Sequence, residues 1–435
     1  MTGRTWTNWG RTSRSTPARV VRPRSAEAVA RALRDASADG LAVRPVGAAH
    51  SFTALARTEG VLLETTGLAG LRSIDRDRGR ITVGGGTTIA AVARIAGRFG
   101  LAFQNLGDID HQTIAGAIGT GTHGTGGAFG PIASQVVGLR LVTPAGEVLD
   151  LGEDDPLLLA ARVSLGALGV VTAVTLQLAP AFGLAADERA EPLRPVVEGF
   201  ADRVAAADHF EFYWFPGTEL ALTKTNTRIP LDEVGPQGSR LQRLIDDEVL
   251  ANGLFELTCR LGRRAPLLVP TINRIASRTV AERSYAAPSH AVFTSPRRVR
   301  FAETEWGVPL EALPEAFEAF RSAVRRSGLR ISFPVEVRAV AADESAWLST
   351  SYARPTAYIA AHCYHRDVRR EYLRIAERVF RGFDGRPHWG KLHTRDAADL
   401  RGRYPRFDDF LAVRRRLDPG GLLRNPHLDR VLGLP

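Results

Sequence analysis

The sequence predicts a two-domain protein of the α+β class. Its 435 residues are enough for two or three domains. Up to residue 180 short strand-like segments alternate with helical segments, whereas the chain after Pro180 begins with aromatic, sheet-like segments. The composition, with 44% hydrophobic and 24% charged residues, is typical of a chain that buries a core.

The first 180 residues contain the elements of one domain. Residues 25–40 are predicted to form a helix that begins after Ser25 as N-cap and ends at Gly40. Residues 87–100 are predicted as a second helix, because their apolar side chains share one face. Strands are expected at 18–23, 41–47, 60–65, 79–86 and 169–180, with a hairpin over 136–151.

The rest of the chain is predicted to form a second α+β domain. We expect strands at 209–217 and 331–340, and helices at 316–328, at 369–383 and within 238–276. The domains are therefore placed at 1–180 and 181–395. Residues 396–435 are treated as a separate C-terminal segment.

The chain is basic, with a net charge of +10 and a pI near 10.3. The arginines are spread along the whole chain and no nucleic-acid-binding motif is present, so a solvated surface is favoured and no nucleic acid is expected. Association with an anionic membrane surface stays open. No apolar run of 18 residues predicts a transmembrane helix, and the N-terminus has no apolar leader. Two cysteines without metal spacing, Cys259 and Cys363, indicate a cytoplasmic protein with reduced thiols.

Lysine is nearly absent from this chain. Of 57 basic residues only Lys224 and Lys391 are lysines. An ammonium group is a compact point charge that a guanidinium does not replace, so a retained lysine is a candidate for a specific role. Chance retention is the alternative.

Two glycine-rich segments, 47–51 and 116–127, predict a phosphate-binding site. Residues 119–124 match the pattern G-x-G-x-x-G, but further glycines follow where a dinucleotide fingerprint has a helix, so a nicotinamide site is disfavoured. Backbone N–H groups in such loops bind anions, and Ser51, Thr113, Thr120 and Thr122 add hydroxyl donors. We expect a pyrophosphate-containing cofactor between the loops, with a pair of tight turns as the alternative.

Five motifs in chain order carry a family resemblance. They are "PVGAAHSF", "NLGDIDHQTIAGAIGTGTHGTG", "SLGALGVVTAVTL", "FPVEVRAVAADESAWLS" and "RPHWGKLH". With them the chain resembles the vanillyl-alcohol-oxidase superfamily, and within it the aldonolactone oxidoreductases and alditol oxidases. The resemblance runs from about Asn8 to the C-terminus. It implies a PCMH-type FAD-binding domain over 1–180 and a substrate (cap) domain on an antiparallel sheet over 181–395, with 396–435 packing back on the first domain.

The resemblance also implies the cofactor. In the family the histidine of the first motif carries FAD covalently through its 8α-methyl group, and His50 stands at that position. The alternative is a loop histidine that is hydrogen-bonded to the backbone. The residues expected around FAD are Pro45, Val46, Gly47, Ala48, Ala49, His50, Ser51, Gly107, Thr113, Gly116, Thr120, Gly121, Thr122, His123 and Val171.

Two charged residues on one predicted strand are candidates for the catalytic site. Glu336 and Arg338 are two positions apart, so they project from the same face. An exposed ion pair of little energetic value is the alternative. The resemblance implies that Glu336 accepts hydrogen bonds from sugar hydroxyls and that Arg338 supports the substrate oxygen or the reduced flavin. Whether Glu336 is the general base stays open.

Lys391 is the third candidate catalytic residue. Hydride transfer to flavin N5 leaves negative charge near N1 and the C2 carbonyl, where a fixed cation would stabilise it. His388 is its expected neighbour. His362 either reaches the substrate or is a core histidine. Asp108 is expected beside the substrate, where alditol oxidases usually have a serine.

The resemblance therefore implies an enzyme that oxidises a sugar-1,4-lactone, of D-arabinono- or L-gulono-1,4-lactone type, to a 2-keto lactone. An alditol oxidase that converts xylitol or sorbitol to an aldose and H2O2 is the alternative, and a flavin-binding protein without turnover would leave the three charged residues unexplained. Gly107 stands where a glycine gives oxygen access to the flavin, which favours an oxidase. Reoxidation by another acceptor stays open.

Overall fold

Two sheets form the first part of the molecule. The computed structural model describes residues 5–235, 253–279, 282–295 and 298–434. A parallel sheet has the strand order Arg19–Val21, Val61–Glu64, Val43–Val46. An antiparallel sheet has the order Val148–Leu151, Val136–Val142, Val170–Gln177, Arg80–Gly84, Leu71–Asp75. Two short strand pairs accompany them, Trp6–Thr7 with Arg14–Ser15 and Leu101–Ala102 with Ala179–Pro180.

The helices of this part begin at the residues that their sequences favour as caps. The helices are Ala26–Ala38, Ile89–Gly97, Ile114–Gly119 and Pro156–Ala161. The hydroxyl of Ser25 accepts a hydrogen bond from the Ala28 N–H, as an N-cap does. The G-x-G-x-x-G segment follows Ile114–Gly119 and does not open a helix, which agrees with the disfavoured nicotinamide site.

The second part is built on an eight-stranded antiparallel sheet, as the resemblance implied. Its strand order is Arg283–Pro288, Gly183–Pro192, Leu220–Ile229, His209–Trp214, Val335–Val340, Thr356–Tyr364, Phe301–Pro309, Arg386–Pro387. The strand expected over 331–340 begins only at Val335, because Pro334 has no N–H to donate to the sheet. One face of the central strands packs on an apolar core that includes Phe212, Val337 and Ile359.

Helices cover that apolar face and close the chain. They are Leu193–Glu198, Phe200–Ala206, Leu254–Arg264, Val269–Thr279, Ser289–Phe293, Leu313–Ser327, Arg370–Arg381, Ala397–Arg401, Phe407–Leu417 and Pro426–Leu432. Of the helices expected within 238–276, the part up to residue 252 lies outside the described residues. Leu400, Phe410 and Leu428 share one core with residues of the five-stranded antiparallel sheet. The division at 180 and 395 stays a prediction.

Two further expectations concern the environment of the chain. In the described ranges, no helix has the length and apolar character needed to cross a bilayer. Cys259 and Cys363 are both buried free thiols, and burial raises the pKa of each to about 12. Neither thiol is therefore reactive at neutral pH.

Candidate active site

Two cavities meet at His50. The loop cavity is lined by residues from 44–51, 112–120 and 164–171, which include the first glycine-rich segment and the beginning of the second. Its empty space of about 870 Å³ is partly open to solvent. The polar cavity, with about 860 Å³ that is also partly open to solvent, is lined by most of the charged candidates. His50, Ser51, Gln112 and Thr120 line both cavities. One continuous site therefore joins a loop-lined half to a charged half.

The loop cavity depends on a close approach of two backbone segments. A Cβ on Gly47 would lie 2.0 Å from the Oγ1 of Thr113, so only glycine fits there. Thr113 is the N-cap of the helix Ile114–Gly119, and its hydroxyl accepts from the Gly116 N–H at 3.3 Å. Ala49 has a φ of +57°, a left-handed conformation that turns the chain into His50.

A buried arginine that sequence reasoning missed fixes the third wall of the loop cavity. Arg44 is 1% exposed and donates to the carbonyl oxygens of Leu55, Leu165, Gly166 and Leu423 at 2.6–2.9 Å. Three of these bonds join residues more than 100 positions apart. Nothing in the local sequence distinguishes this arginine from the many on the surface.

His50 is held as a neutral imidazole at the junction. Its ring stacks on Trp9 at 5.2 Å between centroids, and the ring of His111 lies 6.5 Å away on a near-parallel plane. Burial, together with smaller effects of the nearby His111 and Lys391, lowers the pKa of His50 to about 4. Within the described part of the chain, no group hydrogen-bonds the imidazole. Among the described residues, His50 therefore does not match the alternative of a loop histidine that is hydrogen-bonded to the backbone.

One face of the large sheet carries the charged residues, because alternate positions of its central strands point away from the apolar core. Cross-strand neighbours bring them together. Tyr213 lies opposite Glu336, and Glu303 lies opposite His362. The register of the sheet, and no local motif, assembles the polar cavity.

Arg338 binds three carboxylates. Its Nε donates to Glu211 at 2.7 Å, and its Nη2 lies 2.8 Å from Glu336 and bonds Asp108. The hydroxyl of Tyr213 donates to Glu336 at 2.6 Å. Burial lowers the pKa of Arg338, but the three carboxylates outweigh burial and hold it well above its usual value. Arg338 is therefore a buried cation with several charged partners, and the alternative of an exposed ion pair does not apply.

Lys391 lies on the other side of the cavity. Its Nζ is 2.5 Å from Glu303 Oε2 and 3.9 Å from Glu305 Oε2. Burial lowers the pKa of Lys391, but these two carboxylates outweigh burial and raise it. The lysine is therefore a fixed cation at neutral pH. His362 also faces Glu303, at 3.5 Å.

A histidine pair lies behind the lysine. His123 Nε2 is 3.3 Å from Glu305 Oε1 and His123 Nδ1 is 2.9 Å from the Gly124 carbonyl, so both nitrogens face acceptors. Burial raises the pKa of Glu305, but the charges of His123 and Lys391 hold it well below its usual value. Burial lowers the pKa of His388 to about 4, and its Nδ1 accepts from the Gly390 N–H.

The structure places nearly all of the expected site residues on these two cavities. The loop cavity has Pro45, Val46, Gly47, Ala48, Ala49, His50, Ser51, Thr113, Gly116, Thr120 and Val171. The polar cavity adds Gly107, Asp108, Thr122, His123, Glu336, Arg338, His362, His388 and Lys391. Gly121 lines neither cavity; its φ of +74° lets the chain turn between the helix and Thr122.

Sequence reasoning missed four polar residues of this site. Glu211 and Tyr213 alternate with apolar residues in "FEFYW", and Glu303 and Glu305 alternate with an alanine, a threonine and a tryptophan in "AETEW". A period of two in strands that are otherwise apolar places such residues on one face. The same pattern that identified Glu336 and Arg338 would have found them.

Comparison with known proteins identifies the family. The family described as D-arabinono-1,4-lactone oxidase matches residues 174–431, which is more than half of the chain. The chain belongs to the D-arabinono-1,4-lactone oxidase family. The family described as FAD binding domain matches residues 17–152, a range that contains both glycine-rich segments of the loop cavity.

Members of related families align over the whole chain. L-gulono-1,4-lactone dehydrogenase of Mycobacterium tuberculosis is 42% identical over 98% of this chain and 99% of its own. Alditol oxidase of a Streptomyces species is 34% identical over 98% of both chains. L-gulonolactone oxidase of Bos taurus is 31% identical over 98% of this chain and 97% of its own.

Solved structures establish the fold. Cholesterol oxidase from Brevibacterium sterolicum superposes with a TM-score of 0.82 at 18% identity, over 98% of this chain and 96% of that one. A solvent-stable cholesterol oxidase gives 0.81 at 21% identity, over 99% and 97%. The two-domain FAD-binding fold expected from the resemblance is thereby confirmed.

The residues of the loop cavity fit FAD. Gly47 leaves room for backbone to approach a ligand, and the backbone of both glycine-rich loops is exposed to the cavity. The backbone of residues 45–51 and 113–116 would hold the pyrophosphate. The polar cavity adjoins the loop cavity at His50, so a small polar substrate in the polar cavity would lie next to a cofactor held by the loops.

Proposed function

We propose that this protein oxidises a secondary hydroxyl group of a sugar-1,4-lactone with FAD as its cofactor. The observation that carries the proposal is the joined cavity, in which four carboxylates and two fixed cations line the half that adjoins the glycine-rich loops at His50. Such a cavity suits a small neutral ligand with many hydroxyl groups. The names of its relatives supply the substrate class, sugar lactones.

Substrate hydroxyls would be bound by the Arg338 cluster. Glu336 and Asp108 line the cavity and are held in place by Arg338, and Tyr213 donates to Glu336 from the side. Their carboxylates accept hydrogen bonds from hydroxyl groups, and because they are held by buried partners they need no reorganisation when the ligand binds. Glu336 is the group that we assign to receive the hydrogen bond of the hydroxyl being oxidised.

FAD, when bound, supplies the two-electron acceptor for the hydride of the alcohol carbon. Lys391 supplies a positive charge at the boundary of the two cavities, where it lines the polar cavity together with His50. Glu303 fixes the position of its ammonium group. The cation would stabilise negative charge that develops during oxidation, and the surrounding low dielectric strengthens that effect.

We also propose that His50 carries FAD covalently through the 8α position. A covalent bond requires a nucleophilic, unprotonated ring nitrogen in contact with the cofactor. The lowered pKa of about 4 keeps the His50 imidazole neutral at physiological pH. Its ring orientation is fixed by stacking on Trp9, and no hydrogen bond within the described residues occupies its nitrogens.

Steady-state rates test the substrate class. We expect kcat/KM for L-gulono- or D-arabinono-1,4-lactone to exceed that for xylitol and sorbitol by at least about tenfold, since Asp108 is paired with Arg338 where alditol oxidases usually have a serine. The holoenzyme is used, with a Glu336→Gln variant as the control for turnover at this site. A preference for xylitol would make the protein an alditol oxidase and would refute the proposal.

The electron acceptor is tested by reducing the enzyme without oxygen and then admitting air or a dye acceptor. A Cβ on Gly107 would lie 2.7 Å from the His123 carbonyl oxygen, so packing alone requires this glycine. Its presence is therefore weaker support for an oxidase than the sequence indicated. Fast reoxidation in air supports an oxidase, and slow reoxidation with fast dye reduction supports a dehydrogenase.

A cytoplasmic location is proposed from the two reduced cysteines.

A further inference from the structure

The polar cavity holds more negative than positive charge. Four carboxylates line it, those of Asp108, Glu303, Glu305 and Glu336. A fifth carboxylate, that of Glu211, does not line the cavity but is bonded to Arg338. Of the described residues that line the cavity, Arg338 and Lys391 alone are permanent cations. The carboxylates therefore outnumber the permanent cations by more than two to one.

The histidines of the cavity do not reverse this balance. Burial is the main cause that lowers the pKa of His50 and of His388 to about 4, so both are neutral at pH 7. His123 and His362 each face a carboxylate, at 3.3 and 3.5 Å. Even if both of these histidines carried a proton, the five carboxylates would outnumber the cations. The cavity is therefore negative for either protonation state of the two histidines.

Most of the excess lies around Arg338. Its guanidinium meets the carboxylates of Asp108, Glu211 and Glu336, whose oxygens lie within 4.8 Å of one another. One guanidinium does not balance three carboxylates. The side chains of Asp108 and Glu336 are only 15% and 10% exposed, so water and salt screen them weakly. Both line the cavity, so a ligand meets their charge directly.

The two cations are not available to an anionic ligand. Arg338 is bonded to its three carboxylates, and Lys391 lies 2.5 Å from Glu303 and 3.9 Å from Glu305. A ligand carboxylate would have to replace one of these buried partners and would meet the remaining ones. At an effective dielectric constant of about 20, one unit charge a few ångströms from another changes a binding constant by about tenfold or more. Ligands of one shape are therefore separated by their charge.

We infer that the polar cavity selects its ligands by charge. It accepts neutral lactones, excludes the open-chain carboxylates that form when lactones are hydrolysed, and binds polyols that carry a protonated amino group more tightly than neutral polyols. The inference rests on the proposed function, since it takes the polar cavity as the substrate site. Asp108 is the residue assigned to this selectivity, because it adds a carboxylate where alditol oxidases usually have a serine. Amino polyols are the further class of ligand.

Three probes with one carbon skeleton test the inference. D-glucamine, D-sorbitol and D-gluconate end in an ammonium, a hydroxyl and a carboxylate group at pH 7. Calorimetric titration of the full-length holoenzyme without oxygen gives the Kd of each probe. We expect D-glucamine to bind about tenfold more tightly than D-sorbitol, and D-gluconate to bind about tenfold more weakly. Equal constants for the three probes would mean that a proton or a bound ion already balances the carboxylates, and would refute the inference. Tightest binding of D-gluconate would refute it as well.

Matched variants assign the selectivity to Asp108. Asp108→Asn keeps the shape of the side chain and removes one charge, so the ratio of the Kd values of D-gluconate and D-glucamine should fall about tenfold. Asp150→Asn removes a surface carboxylate that pairs with Arg140, and should keep the wild-type ratio. Each ratio compares two probes on the same protein, so a smaller fraction of folded protein leaves it unchanged. An unchanged ratio in Asp108→Asn would contradict the assignment. The constants are measured without turnover, so the charge order holds or fails independently of the oxidation proposed above.

Discussion

Removing the positive charge of Lys391 should have two separable effects, one on stability and one on rate. The ammonium is 2.5 Å from Glu303, whose side chain is only 3% exposed, and it lies 3.9 Å from Glu305. Lys391→Met therefore leaves buried carboxylates without their cation. Since breaking one partner of a buried ion pair typically costs about 3–5 kcal/mol, and the lysine itself is one-fifth exposed, we expect a loss of about 3 kcal/mol in the free energy of unfolding.

The expected effect on rate is independent of that loss. If Lys391 stabilises charge that develops during oxidation, its removal should slow anaerobic reduction of the flavin about 10²–10³-fold. A double variant, Lys391→Met with Glu303→Gln, separates the two effects. It removes the orphaned charge, so stability should return toward the wild type, whereas reduction should stay slow.

Stopped-flow reduction of the three enzymes by a sugar lactone, with denaturant unfolding of each, is the assay. Lys391→Arg is the control, because it keeps the charge and changes its shape. Recovery of the reduction rate in the double variant would mean that Lys391 only neutralises Glu303, and the proposed catalytic role would be wrong.

The pH dependence of this stability follows from the directions of the pKa shifts. The pKa of Glu303 is lowered in the folded protein, because Lys391 and His362 outweigh burial. The contribution of Glu303 to the free energy of unfolding is therefore fully present above pH 4.5 and is lost as pH falls through the pKa of the folded state. The pKa of Lys391 is raised in the folded protein, because Glu303 and Glu305 outweigh burial. The contribution of Lys391 to the free energy of unfolding is therefore fully present below pH 10.5 and is lost as pH rises through the pKa of the folded state. In the wild type both contributions are present between about pH 5 and 10. In Lys391→Met burial raises the pKa of Glu303, so the stability difference between the two proteins, measured by denaturant unfolding, should shrink as pH falls through that raised value.

Three further predictions concern the cofactor and the substrate. In acid-precipitated protein the yellow colour should stay in the pellet for the wild type and for His111→Ala, and should move to the supernatant for His50→Ala; colour in the His50→Ala pellet would contradict the covalent link. Glu336→Gln should lower kcat/KM for a sugar lactone about 10–150-fold, since a hydrogen bond to a charged acceptor is worth about 1.5–3 kcal/mol, and an unchanged value would remove Glu336 from the substrate site. Gly47→Ala should lower the flavin-to-protein ratio about tenfold or more, because its Cβ would meet the Thr113 hydroxyl, whereas Gly97→Ala, with open space around it, should keep the wild-type ratio.

The sequence by itself determined the local elements and the identity of the site's loops. The helix after Ser25 and the strand that carries Glu336 and Arg338 follow from caps and from periods of 3.6 and 2, which are properties of consecutive residues. The order of five motifs determined the family and, with it, the expectation of FAD. His50 is predictable from sequence because the residues next to it in the chain, "PVGAAHSF", form the motif that indicates the site.

The tertiary structure alone decided which charges face one another. Glu211 meets Arg338 across 127 positions of chain, because the register of one antiparallel sheet sets them side by side. Glu303 lies in the same sheet and meets Lys391, which lies in the segment that follows the last strand, Arg386–Pro387. Local pattern does not encode that register. The same holds for Arg44, because three of its four carbonyl acceptors come from distant segments. Pairing across a sheet and desolvation depend on contacts between remote residues, so the protonation and geometry of this site exist only once the chain has folded.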